Sequence, residues 1–329
     1  MSEPAGHTSE LPDEWLVWLA GSLLEDTPID RITAVLVERG LTAERATTEI
    51  ASLQASPSYR ASRAALRPRV LAQRLRQAHL RLGDRAILRR PGLSAEAFLS
   101  EHIAAQVPVV LPDLTHDWPA ARWTWSGLAH EHGHLRLQAC SGRTSVDTPD
   151  DRWRELSVEL SFAELIERIT TPGVGNDLYV VANNLAMEGP LIGLRDDFRP
   201  VPGILAANRL DQTAAWIGGA GAHTPLHHDT SDILLCPFLG AKRVWLVPPE
   251  EIEVTLEADR FWGPSVDLDD SDLAVRETVV QPGEMLLIPS GWWHQVTALE
   301  ASLTVTFAGM RHLNGYKWYQ PGFAETPGG

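Results

Sequence analysis

Cysteine is almost absent from this chain of 329 residues: Cys140 and Cys236 are the only two, and they lie far apart. That excludes a disulfide scaffold, and the lack of any CxxC pair excludes zinc-ribbon and dithiol redox motifs, so buried free thiols in a reduced compartment are expected. No apolar run approaches the roughly 18 residues a membrane span needs. The opening MSEPAGHTSELPDEW is acidic and polar where a secretory signal is basic and then apolar, so a cytoplasmic chain with no membrane partner is expected. The letters of the zinc-hydrolase motif HExxH occur once, as HEHGH at 130–134, where a glycine stop breaks the helix that the motif needs. Lysine is scarcer still in proportion, for Lys242 and Lys317 are the only lysines among 28 basic residues.

What is present is globular in character, with 44% hydrophobic and 22% charged residues, enough for one large β-rich domain or two ordinary ones. The net charge of −15 argues against general nucleic-acid binding. It is unevenly spread. Residues 60–90 hold ten arginines against Asp84 alone, a strip of +9 that leaves −24 for the rest. A basic helix without interleaved aromatics reads as a solvated face before a docking face, and as a docking face before a nucleic-acid contact.

From Glu14 to about Leu82 apolar residues recur at three- and four-residue spacing, which predicts helices, with starts at Thr27-Pro28 and Thr42, a stop at Gly40 and a longer helix over about 58–82. This gives an N-terminal helical domain over 1–86 and a linker over 87–93. After residue 92 short strands punctuated by Gly and Pro take over, among them VPVVLPDL, DLYVVANN, AAWIGG, DILLCPF, RVWLVPP, EMLLIP and SLTVTF, a pattern of antiparallel barrel or sandwich. That domain is expected over 94–315, with a tail over 316–329. If the protein dimerises, the N-terminal helices are the expected means.

Within TPLHHDTSDILLCPF, strand alternation sends His227 and Asp229 to one face and His228 to the other, so the i, i+2 pair forms a two-ligand clamp. PGEMLLIPSGWWHQV offers a third ligand, His294, after a tight PSG turn. Two histidines and a carboxylate on one face of a metal leave three positions open, the arrangement of non-haem Fe(II) oxygenases. The HEH run with His130, His132 and His134 mimics a metal comb. It reads instead as a helix end, a glycine stop and a strand start that scatter the side chains.

TPLHHD, LGAKRVWLVPPEE, PGEMLLIPSGWWHQV and SLTVTF, together with VPVVLPDLTHDWPAARWTW, SFAELIERI and DLYVVANN upstream, resemble the JmjC-type, cupin-like 2-oxoglutarate oxygenases, including the hydroxylases related to factor inhibiting HIF. The resemblance spans roughly residues 94–315. It implies a double-stranded β-helix of the jelly-roll type, with Fe(II) held by His227, Asp229 and His294. It also implies a 2-oxoglutarate site in which Lys242 pairs with the distal carboxylate, helped by Thr224 and Tyr179. The residues agree on Lys242, a rare lysine opening a strand after Gly240, where an ammonium enters a narrow barrel more readily than a guanidinium fork.

Two positions depart from that family. An asparagine four residues after the metal aspartate is replaced by Ile233, and one on the last strand by Thr306. The function implied is hydroxylation of a peptide or protein side chain with O2, giving succinate and CO2. The alternatives are oxygenation of RNA or a small molecule on the same scaffold, and a binding module without catalysis. Trp216 is a candidate wall of the site; Trp292 and Trp293 read as packing at its mouth.

Overall fold

The computed structural model describes residues 11–24, 27–64, 72, 75–76, 86–258 and 262–312. The chain divides into two compact units, residues 1–78 and 79–329. No helix among the described residues is long and apolar enough to cross a membrane.

The first unit is helical. α1 (Asp13–Leu24), α2 (Ile29–Glu38) and α3 (Ala43–Ala55) each turn an apolar stripe inward, and Leu19, Leu23, Ile32, Leu36, Ala46, Ile50 and Tyr59 form their common core. Punctuation sets the boundaries: Pro28 precedes α2, Gly40 follows it with φ +100°, and the Thr42 hydroxyl accepts from the Arg45 amide to cap α3. Residues 57–64 are helical, but most of the helix expected over 58–82 lies outside the described residues.

The second unit holds twelve described strands in two sheets. β1 (Val109–Leu111), β10 (Met285–Ile288), β7 (Ile233–Leu239), β12 (Ser302–Phe307), β5 (Thr213–Gly218), β4 (Leu178–Val180), β2 (Arg136–Ser141) and β3 (Ser157–Ser161) lie side by side in that order. The second sheet runs β6 (His223–His228), β11 (Trp293–Ala298), β8 (Lys242–Val247), β9 (Arg276–Val280). Neighbouring strands pair antiparallel throughout, and no ladder closes the two sheets into one barrel among the described residues. The stretch 87–93, expected as a linker, is partly absorbed into the second unit: Ile87 is buried, Arg89 bridges to Val110, and the Arg90 and Val110 amides bond back and forth across the gap.

The larger sheet is covered on both faces at β1, β7 and β10, which explains why these strands are wholly apolar, while β2 and β3 at the far edge expose polar residues. Leu234, Cys236 and Phe238 of β7, Met285 and Leu287 of β10, and Leu303, Val305 and Phe307 of β12 join one core with Phe162 and Leu165 of α5 (Phe162–Thr170) and Leu128 of α4 (Trp125–His132). Their alternates Ile233, Leu235, Leu286 and Ile288 meet Val244, Leu246 and Val296 of the smaller sheet in a second core. A cavity lined by Ile233, Leu235 and Val296 opens into that inter-sheet space.

Between β7 and β8 the chain reverses at Gly240, whose φ of +69° is left-handed and whose added Cβ would sit 2.3 Å from the Ala301 carbonyl oxygen. Gly240→Ala is expected to lower stability by ~2–4 kcal/mol, from backbone strain plus overpacking. Gly92→Ala, also left-handed but with open space around it, should lose only ~1 kcal/mol. Urea unfolding of the two variants beside the parent checks the difference.

Candidate metal and cosubstrate centre

Register brings the expected ligands together. β6 and β11 pair with His227 opposite His294 and Thr224 opposite Val296, so three residues of advance on β6 match two on β11. This β-bulge matters because strict alternation would turn Thr224 away from the face that carries His227, and the additional residue restores it. Both side chains line one cavity of about 260 Å³, together with Asp229, His294, Lys242 and Tyr179. All six expected site residues therefore share one chamber. Ile233, Thr306 and Trp216 line it as well.

His227, Asp229 and His294 each offer a ligand atom within 4.8 Å of the others, and are the one such group among the described residues. The imidazole rings lie 4.0 Å apart between centroids, and His294 Nε2 stands 3.7 Å from Asp229 Oδ2. Each ring is oriented from behind. His227 Nδ1 lies 2.8 Å from the Pro225 carbonyl and His294 Nδ1 3.1 Å from that of Trp292. A carbonyl only accepts, so Nδ1 carries the proton and Nε2 presents its lone pair to the cavity. Burial, reinforced by the neighbouring His227, holds His294 well below the usual histidine range and so in its neutral, ligating form. The donor set thus fits a divalent cation.

The segment that carries Asp229 and the turn that leads to His294 are tied to each other. The Gly291 amide of the PSG turn donates to the Asp229 carbonyl at 3.0 Å, and the Ser290 amide to the buried carboxylate of Asp232 at 2.8 Å. Asp232 also meets His312 Nε2 at 2.9 Å. No spacing in the sequence pointed to Asp232, since its role lies in tertiary contacts.

At the other end of the chamber Lys242 is 1% exposed, and its Nζ lies 3.4 Å from the Tyr179 hydroxyl, itself 3.4 Å from that of Thr224. No carboxylate among the described residues pairs with Lys242. Burial alone pushes its ammonium from 10.5 down to about 7, and burial, opposed by the Thr224 hydrogen bond and the Arg143 charge, pushes the Tyr179 phenol up to about 12. A buried cation beside two hydroxyls, with apolar Ile233, Leu235 and Val296 around it, fits an anionic group of matching size. Behind Tyr179, Arg143 forms a buried bidentate pair with Asp150, lies over the tyrosine ring and donates to the His223 carbonyl. The sequence reading passed over this strut.

Among the described residues the remaining histidines stay outside the chamber. His223 bonds Thr297 and His228 packs edge-on against Trp293 at 4.6 Å. His130 and His132 end α4 before Gly133, with His134 beyond. Trp292 and Trp293 are buried, their indoles donating to the Gln106 carbonyl and the Thr255 hydroxyl, so both pack rather than face the cavity.

The sequence model of one family, described as a cupin-like domain, matches residues 94–323. Lysine-specific demethylase JMJ30 of Arabidopsis thaliana is 31% identical over 242 residues, covering 67% of this chain and 53% of that protein. Lysine-specific demethylase 8 of Danio rerio is 27% identical over 239 residues, covering 65% and 56%. Arginine-specific demethylase JMJ20 of Arabidopsis thaliana is 27% identical over 274 residues, covering 68% and 56%. The chain spans little more than half the length of these relatives.

Lys242 makes the stability of the ligand-free protein depend on pH. Between pH 7 and 10.5 the unfolded chain holds a proton that the folded chain lacks, so raising the pH through this window favours folding, by at most ~1.4 kcal/mol per unit. Denaturant unfolding of metal-free protein across pH 7 to 9.5 should show a rise in the parent that is absent in Lys242→Met. At pH 7 the variant should be the more stable of the two.

Proposed function

The chain belongs to the cupin-like domain family, and from that premise we propose that it is a 2-oxoglutarate-dependent dioxygenase that hydroxylates a side chain of a peptide or protein. Its cofactors are Fe(II) and 2-oxoglutarate. The observation that carries the reading is the meeting, in one chamber, of a two-histidine, one-carboxylate face and a buried lysine with no anionic partner among the described residues. In this reading the two sheets form the family's jelly roll, and residues 94–315 are its catalytic domain.

His227, Asp229 and His294 would hold the iron, both imidazoles kept in the ligating tautomer by backbone carbonyls. When bound, iron and 2-oxoglutarate together supply the oxidising power for a substrate C–H bond, with O2 consumed and succinate and CO2 as co-products. Lys242, Tyr179 and Thr224 would anchor the distal carboxylate, and the ammonium regains its proton when that negative charge arrives. Ile233, Leu235 and Val296 keep water from the space between the two ends, which strengthens each charge interaction inside. A second recess of about 600 Å³ shares Ala214, Thr306 and Ala308 with the chamber. These small side chains leave a path by which a substrate side chain would reach the metal face.

Hydroxylation at carbon gives a stable product, the outcome in hydroxylases related to factor inhibiting HIF. Hydroxylation of an N-methyl group collapses to demethylation. The second outcome is the alternative reading, favoured by relatives named as lysine- and arginine-specific demethylases.

The test is an anaerobic titration with Fe(II) and then 2-oxoglutarate, following the visible charge-transfer band of the bidentate chelate. The band should form in the parent, fail in Asp229→Ala for want of iron, and in Lys242→Ala require at least about tenfold more 2-oxoglutarate. Iron binding by the parent without any band at millimolar 2-oxoglutarate would refute the oxygenase reading.

A further inference from the structure

The last strand of the larger sheet, β12, reads SLTVTF, and its two faces differ in kind. Leu303, Val305 and Phe307 enter the outer apolar core, while Thr304 and Thr306 line the chamber. The two threonines are not equivalent. The Thr306 hydroxyl reaches the Ala214 carbonyl at 3.5 Å. Thr304 is 1% exposed, and its hydroxyl has no hydrogen-bond partner among the described residues. Directly across the ladder from Thr304, the indole N–H of Trp216 is likewise buried, partnerless and at the chamber wall.

A buried hydroxyl without a partner is destabilising, and a folded chain keeps one where a ligand or ordered water completes it. The surroundings identify the ligand chemistry. One β-repeat along the same strand, Ser302 lies opposite Gly218, which in turn pairs with Tyr179, so Thr304 is next to the row that carries the anion-binding hydroxyls. A carboxylate has about four lone-pair positions, and Lys242, Tyr179 and Thr224 offer three donor groups. We infer that Thr304 is a further cosubstrate-binding residue, its hydroxyl donating to the 2-oxoglutarate carboxylate attracted by Lys242. It supplies a polar contact where Ile233 offers none and where the Thr306 hydroxyl is turned to the backbone. The inference rests on the oxygenase reading above.

The test uses the full chain and two variants, Thr304→Val, which removes the hydroxyl at nearly constant volume, and Thr304→Ser, which keeps it. Fe(II) affinity, 2-oxoglutarate affinity under anaerobic conditions and thermal unfolding without ligand are measured for each. The valine variant should bind Fe(II) as the parent does, bind 2-oxoglutarate about ten- to a hundredfold more weakly, and unfold at the same or a higher temperature. The serine variant should recover most of the affinity. Unchanged 2-oxoglutarate affinity in the valine variant, beside a parent that binds it and a Lys242→Ala variant that binds it at least about tenfold more weakly, overturns this inference alone. A valine variant that unfolds several degrees earlier with affinity intact assigns Thr304 a structural role and also overturns it. A parent that binds no 2-oxoglutarate removes the oxygenase reading and this inference together.

Discussion

The pairing of β6 with β11 governs what this molecule can do. His294 faces the chamber because it stands opposite His227, and the bulge on β6 turns Thr224 inward in the same register. A slip of one residue would send every side chain of β11 to the opposite face, exchanging His294 for Trp293 in the chamber. The apolar alternation guards against this. Trp293 belongs with Leu226 and Val247 in a cluster on the outer side of the smaller sheet, while Val296 belongs to the inter-sheet core. Moving either into the other's place would bury a mismatch in shape, so the hydrophobic pattern that folds the sheet also sets which face carries His294.

The polar interior carries an opposite lesson. A neutral, deeply buried His294, a lysine without a carboxylate and unpartnered hydroxyls all weaken the fold that contains them. They are held because the shell behind them is rigid. Imidazoles lean on backbone carbonyls, the Arg143–Asp150 pair braces Tyr179, and Gly240 allows the tight reversal that starts β8 at Lys242. Stability is concentrated in the outer core and spent at the chamber.

Much of this was legible in the sequence because its signals are local. The HxD clamp on a strand, a rare lysine after a glycine turn, and the short apolar strands all follow from period-two patterning and turn chemistry, and the three helix boundaries at Pro28, Gly40 and Thr42 from capping rules. What escaped depends on contacts between distant segments. Asp232 looks like any acid in a loop until Ser290 and His312 arrive beside it. Residues 87–93 read as a connector because their partner, Val110, lies some twenty positions away. Ser-x-Thr-x-Thr on β12 was visible as alternation, but only the sheet packing reveals that the hydroxyls of Ser302 and Thr304 are left without a partner among the described residues while that of Thr306 finds one.

The bonds that join the Asp229 segment to the turn before His294 carry a kinetic consequence. Gly291 donates to the Asp229 carbonyl and Ser290 to Asp232, so that segment and the turn leading to His294 form a single clasp. An ion held between them would leave only when both strands of the clasp part, a concerted local opening rather than the swing of one side chain. A metal residing there would then leave at the opening rate of this clasp, more slowly than from three ligands on independent loops.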